Sequence, residues 1–236
     1  MGAKTVGVIA KNIGMTQVFL DTGEVVPVSV LQVGNCRVVQ VKSAKSADGY
    51  NAVQVGLESR KKFKRTTKPL RGHLKRAHLD AIDLLREFRV DDDIEAYQVG
   101  QKLDASLFGA GDLVRIVGIS KGRGFAGVIK RHGFSGGPKT HGSHCGRIPG
   151  SMGSSALPSR VYPGKKLPGR MGGQQVTLGR AKVVSVIKER NTILVKGGVP
   201  GGIGGRYLLV SKVLSTSSAD VALRATMAKS AQGRSQ

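Results

Sequence analysis

Four groupings of residues have the types and spacing to do chemistry. Gly122, Gly124 and Gly127 spell G-x-G-x-x-G directly after the strand-like run LVRIVGI at 113–119. That motif turns a strand into a helix whose N-terminus cradles a pyrophosphate, and it needs an acid about 20 residues on for the ribose. Here Gly133, Gly136, Gly137 and Pro138 stand in place of a sustained helix, and no acid occurs before Glu189, so a nucleotide cofactor is not expected. His132, His141, His144 and Cys145 are metal-donor types, but a His-x-x-His pair plus one Cys falls short of four regularly spaced zinc ligands. Cys145 beside His144 has the composition of a nucleophile and its base, yet no acid is at hand to orient the imidazole. Asp91, Asp92, Asp93 and Glu95 cluster with no His or Cys nearby, and read as a solvated turn rather than an acid–base or metal pair. The expectation is a chain with no catalytic residues, no cofactor, no metal and no small-molecule substrate.

The chemistry that remains is cationic. Between Asp112 and Glu189 there is no acidic residue at all. Within 120–173 that span carries Lys121, Arg123, Lys130, Arg131, Lys139, Arg147, Arg160, Lys165, Lys166 and Arg170, with His132, His141, His144 and Ser151 as polar hydrogen-bonding companions. A second run, RKKFKRTTKPLRGHLKR at 60–76, adds Arg60, Lys61, Lys62, Lys64, Arg65, Lys68, Arg71 and His73. Lys and Arg total 38 against 15 Asp and Glu, a formal charge of +23 that attracts polyanions. An anionic membrane is the alternative partner. It is disfavoured because no apolar run approaches the roughly 20 residues of a spanning helix, and no long basic amphipathic helix is present. Folded RNA is therefore the expected partner. Aromatics are only 4% and Trp is absent, so contacts to phosphate and shape are expected to outweigh base stacking. Within the loop, Arg147 lies beside rigid Pro149 and offers a two-pronged donor to phosphate, whereas Lys139 presents a single mobile charge.

These cations must be positioned by elements on either side. Residues 6–10, 16–20, 24–33, 36–42 and 52–57 read as short strands separated by turn-prone Asn12-Ile13-Gly14, Asp21-Thr22-Gly23, Gly34-Asn35 and Asp48-Gly49. Pro27 places the third of these at an edge or bulge. Leu79, Ile82, Leu85 and Phe88 recur at helical spacing, with Asp80 and Asp83 suited to the first turn. Strands resume at 113–119, 174–178, 182–188, 192–196 and 207–213, the 182–196 stretch as a hairpin. Gly and Pro recur so often through 120–173 that no regular element is expected there, and a loop of that length is functional or disordered. The predicted fold is mainly β: an antiparallel, Greek-key-like barrel over 1–59 and 97–213, a basic helical lobe inserted at 60–96, an irregular extension at 120–173, and a flexible tail at 214–236. Cys36 and Cys145 are expected to be free thiols. The N-terminus has neither a signal-peptide layout nor a myristoylation pattern.

Several motifs resemble one family. Lys121-Gly122-Arg123-Gly124-Phe125-Ala126-Gly127, Lys130-Arg131-His132-Gly133-Phe134, His141-Gly142-Ser143, Arg147-Ile148-Pro149-Gly150-Ser151-Met152-Gly153 and Gly164-Lys165-Lys166-Leu167-Pro168-Gly169-Arg170-Met171-Gly172 are similar to the signature of the bacterial-type large-subunit ribosomal protein L-three family. Gly14-Met15-Thr16, Gly72-His73, Glu87-Phe88-Arg89, Leu194-Val195-Lys196-Gly197 and Val199-Pro200-Gly201 extend the resemblance over nearly the whole chain. It implies a β-barrel body and a long extension reaching toward the peptidyl transferase centre. It also implies direct binding to 23S-type rRNA near its 3′ end, an early role in assembly, neighbouring large-subunit proteins as partners, and a place in the large subunit, cytoplasmic with an organellar ribosome as the alternative. The rival reading is a free RNA chaperone or assembly factor. Two positions depart from the pattern. Gly146 stands where the family usually has His, so that contact is not carried over. Ser154 stands where some members carry a methylated Gln, which implies that the modification is absent.

Overall fold

The computed structural model describes residues 4–46, 48–58, 67–79, 81–90 and 94–213. Strands dominate: β1 (Lys4–Phe19), β2 (Val25–Val33), β3 (Cys36–Lys42) and β4 (Ala52–Glu58) precede helix α1 (Lys68–Lys75) and β5 (Ile82–Arg89). Then come β6 (Lys102–Leu103), β7 (Leu113–Ile119), β8 (Gly124–Ala126), helix α2 (Val128–His132), β9 (Gly169–Met171), β10 (Gln175–Ile187), β11 (Thr192–Lys196) and β12 (Leu208–Val213). The mainly-β, antiparallel class expected from the sequence is what forms.

Six strands close into a barrel in the order β1, β12, β7, β10, β11, β2. Strand β1 serves two neighbours, with Ala10 as the pivot. Its first half pairs with β12 and its second with β2, so Ala10 faces both Leu208 and Val33. Inward positions are filled by Val8, Leu31, Val114, Ile116, Val183, Ile193, Val195, Leu208 and Val210, all fully buried; Ile9, next to Val8, is buried on the opposite face of β1. Each such side chain contributes about 1.5–3 kcal/mol on leaving water. The other strands form a four-stranded sheet in the order β5, β4, β3, β6. Val38, Val53, Val55 and Phe88 on one face of it join the barrel's apolar cluster. Val39 on the other meets Leu74, Ala77 and Leu79.

Several boundaries differ from the sequence reading. The turn expected at 12–14 is a bulge inside one 16-residue strand: Asn12 pairs with Leu31 and Gly14 with Val30, leaving Ile13 as the extra residue. The strands expected at 174–178 and 182–188 are one, β10, with a second irregularity between Val183 and Ser185. Pro27 sits just past the last β2–β11 rung, Val28 with Lys196, where its missing N–H interrupts nothing on that side.

The helix expected over 79–88 is instead strand β5. Leu57 pairs with Leu84 and Glu58 with Ile82, so Asp83 is an unpaired extra residue. That bulge puts Ile82 on the same side as Leu85, against the α1 cluster, while Leu84 and Phe88 face the main core. A bulged strand with apolar contacts on both faces thus imitates a spacing of three and four. The real helix lies inside the basic run, where Pro69 suits the first turn and Leu70 and Leu74 share the face turned to Val39. Residues 60–66, the acidic cluster at 91–93 and the tail from 214 lie outside the described residues.

Candidate nucleic-acid interface

The chain divides into two compact units, one of them Ile119–Gln175 and the other the flanking sequence. The Ile119–Gln175 unit contains ten Lys and Arg, three His and no acid. It is not elementless, contrary to the sequence expectation. Its base is a two-stranded ribbon in which Gly124 pairs with Met171, Phe125 with Arg170 and Ala126 with Gly169. The ribbon is pinned by Ser120 N donating to Gln174 O at 2.9 Å and Arg123 N donating to Met171 O at 2.9 Å. Helix α2 follows at once, one turn closed by Gly133 in the left-handed conformation at φ 72°. Lys130, Arg131 and His132 crowd its C-terminal turn, the end at which the helix dipole favours cations. Short elements survive among so many glycines because each is tied to distant backbone atoms, with Ala126 and Val128 as the unit's small buried apolar contribution.

Some predicted RNA-binding side chains make these ties. Arg131 Nη1 donates to Leu167 O at 2.8 Å, and His132 Nε2 stands 3.0 Å from the same oxygen. Lys165 Nζ donates to Ser151 O at 3.1 Å, closing the outer loop, and Ser151 Oγ bonds within its own turn to Gly153. Arg160 lies over the Tyr162 ring, 6.0 Å from its centroid. Lys121, Arg123, Lys130, Lys139, His141, His144, Arg147, Lys166 and Arg170 are exposed. Of the residues that make the ties only Arg131 and His132 are half-buried; Ser151, Arg160 and Lys165 remain exposed as well. Sequence reasoning missed Phe125, which is 79% exposed; the signal was a lone aromatic among glycines with nothing near it to pack against.

The second basic run is represented by α1, on which Lys68 and Arg71 are exposed. His73 on the same helix is half-buried, its Nε2 2.6 Å from Gln54 Oε1. That contact ends a chain of polar groups across the sheet. Gln54 Nε2 donates to Glu87 Oε1 at 3.3 Å, Tyr50 OH donates to Glu87 Oε2 at 2.9 Å, and Lys42 Nζ lies 3.0 Å from Glu87 and 3.4 Å from Asp48. Lys42 also donates to Tyr50 OH at 3.1 Å, and its side chain is only 14% exposed. The hydrogen bonds to Tyr50 and then to Glu87 raise the Lys42 pKa above its ordinary value. Burial alone would raise the Glu87 pKa, but hydrogen bonds from Lys42, Tyr50 and Gln54 and the Lys42 charge outweigh it and the pKa is lowered. A carboxylate with a depressed folded-state pKa stabilises above its unfolded pKa and loses that contribution as pH falls through the folded one. Glu87→Gln is therefore expected to melt below the parent chain at neutral pH. The gap should close under acid, below the ordinary glutamate range of about 4.3. Thermal melts of both chains from pH 7 to 3 check this; a gap that persists at pH 3 would show that Glu87 acts through packing rather than charge.

The competing chemistries find little here. Among the described residues, no three His, Cys, Asp or Glu side chains converge to hold a metal ion, so His132, His141, His144 and Cys145 are not assembled as a ligand set. The G-x-G-x-x-G stretch leads into a helix of only five residues. Both cysteines are free, and burial pushes the Cys36 thiol up to about 11. A cleft of about 560 Å³ in the flanking unit is lined by Lys11, Glu58, Asp83 and Tyr207 among others. Its groups are already engaged: Tyr207 OH donates to Asp83 at 3.3 Å, Lys11 sits over the Tyr207 ring, and Glu58 pairs with Arg37. No helix among the described residues is long and apolar enough to cross a membrane.

Comparison with known proteins finds relatives of the sequence. Residues 89–196 match the family described as ribosomal protein L3. The chain is 51% identical over 195 residues to the large ribosomal subunit protein uL3 of Desulfitobacterium hafniense, an alignment covering 83% of this chain and 90% of that one. It is 49% identical over 208 residues to the uL3 of Heliobacterium modesticaldum and 52% identical over 207 to that of Alkaliphilus metalliredigens. Each of these alignments covers 88% of this chain and 97% of the relative.

Proposed function

Since the chain belongs to the ribosomal protein L3 family, we propose that it acts as a structural, non-catalytic rRNA-binding component of the large ribosomal subunit in the cytoplasm. One observation carries the reading: a compact unit, Ile119–Gln175, with ten Lys and Arg and not one carboxylate. A surface so charged attracts a polyanion, and its mixture of Arg, Lys and backbone turns suits phosphate and sugar. In this proposal the β-barrel body fixes the orientation and residues 120–173 form the extension toward the peptidyl transferase centre. The basic run at 60–76 grips a second RNA surface, and binding occurs near the 3′ end of the large-subunit rRNA, early in assembly. Neighbouring large-subunit proteins complete its surroundings.

The test has two parts. Particles washed in high salt and fractionated on sucrose gradients should retain the protein in the large subunit; release into the free fraction would favour an RNA chaperone or assembly factor. For the isolated protein, neutralising about 8 phosphates gives a slope of log affinity against log salt of about −6 to −7. An affinity that barely changes with salt would sink the electrostatic account.

A further inference from the structure

We infer that the ribbon of β8 and β9 is a stacking site for one unpaired rRNA base, with the Phe125 ring as platform and Arg170 as the clamp on the adjoining phosphate. This rests on the rRNA-binding reading above and adds to it a subsite of a different chemistry.

The argument starts from the two faces of the ribbon. Directly paired residues on antiparallel strands project to the same side. Ala126 and Gly169 form one such pair. Ala126 is buried, and a Cβ on Gly169 would stand 2.6 Å from Arg131 Nη1, so that side is filled by the Arg131 guanidinium on its way to Leu167. Phe125 and Arg170 are the next pair, and both are exposed. The ribbon cannot turn over to hide Phe125, because a one-residue slip would drive Phe125 into the space Arg131 occupies.

The surroundings of Phe125 are open. Its ring is left uncovered by the protein, and the neighbouring pairs Gly124–Met171 and Ala126–Gly169 project to the other side of the ribbon. A planar group can therefore approach the exposed ring without meeting a side chain from the flanking pairs of the ribbon. Few described residues leave an aromatic ring this uncovered, and none in this unit other than Phe125 has a guanidinium as its direct cross-strand partner. What covers it must be flat, tolerant of an adjacent cation and joined to an anion. A nucleotide has all three properties, and base–aromatic stacking with a neighbouring Arg is how single-stranded segments are held without sequence readout. The absence of any acid in the unit argues against a basic peptide as the occupant.

The experiment measures binding of the full chain to a large-subunit rRNA transcript at several salt concentrations. Phe125→Ala should weaken binding on the order of 10-fold at every salt, with the salt slope unchanged. Phe125→Tyr should restore binding and Phe125→Leu should not, because only an aromatic ring offers a stacking face. Arg170→Ala should make the slope shallower by about 0.7–0.9, one phosphate's worth. Ribose acylation mapping should find a nucleotide that is quiet in the parent complex and reactive with Phe125→Ala. Unchanged affinity for Phe125→Ala, or a Leu variant as good as Tyr, would overturn the stacking site while leaving the rRNA reading intact. A parent chain with no salt-dependent affinity would overturn both. Melting temperatures of the variants should match the parent's, since truncating a side chain this exposed opens no cavity.

Discussion

A chain with residues 120–173 replaced by a short Gly-Ser linker is expected to keep its barrel and lose most of its rRNA affinity. The connection is feasible because β7 and β10 are neighbours in the barrel and Ser120 N already bonds Gln174 O at 2.9 Å. Shortening a connection whose ends are held lowers the closure entropy, by about 0.6 kcal/mol per halving of length, so the barrel should melt no lower than the parent. Binding behaves differently. The replaced segment holds ten Lys and Arg, and if about six meet phosphate the salt slope should become shallower by roughly 4–5. At moderate salt that corresponds to an affinity loss on the order of 10³. Large subunits reconstituted with the shortened chain should fail in peptidyl transfer, because packed phosphates lose the cations that screen them. Normal peptidyl transfer would show the extension to be dispensable.

Gly172→Ala should unfasten the same extension at its base without removing a charge. Gly172 has φ 72°, a conformation that strains other residues, and an added Cβ would run into the Lys121 carbonyl oxygen and lie 3.1 Å from both Arg123 N and Gly122 Cα. All three obstacles are backbone, so relief requires residues 121–123 to part from 171–172. The bond from Arg123 N to Met171 O is then lost. Strain of about 1–3 kcal/mol and a hydrogen bond of about 1 kcal/mol together favour an open ribbon. The expected result is faster trypsin cleavage after Lys121 and Arg123, lost amide protection at Arg123, and an unchanged melt of the barrel. Gly164→Ala is the control. Its φ is 80° but nothing lies within 4 Å of the added atom, so it carries strain without a clash. Equal protection in the two variants would show that the ribbon does not depend on that close approach.

What could be read from sequence was governed by how far each element's partners lie along the chain. Val-rich runs such as 36–42 and 192–196 announce strands because their burial pattern is local. The long strands β1 and β10 each look like two in the sequence, since a bulge resembles a turn until the partner strand is seen. Residues 79–88 were read as a helix because Ile82 and Leu85 share a side only through the extra residue Asp83. For the interface, charge alone located the basic segments, and it requires no geometry to do so. It could not say that Arg131 and His132 bind Leu167 O, or that His73 is held by Gln54, because those ties join residues far apart in sequence. Nor could it single out Arg131 and His132 as the half-buried cationic-type side chains of the unit.

The pairing of β1 with β12 sets a timetable for synthesis. The first strand finds β2 as soon as the hairpin leaves the ribosome, and β3 to β6 can assemble from consecutive sequence. The edge of β1 from Lys4 to Ala10 must wait for Leu208–Val213, the last described strand. At ordinary elongation rates that delay is roughly 10–40 s. Throughout it the nascent chain displays an unclosed strand edge, and the cationic Ile119–Gln175 unit emerges before the barrel that flanks it can shut. A newborn chain of this topology is thus exposed to wrong strand pairing and to stray nucleic acid in the same interval; the first hazard ends when the final strand docks, while the exposed cations of the Ile119–Gln175 unit outlast it.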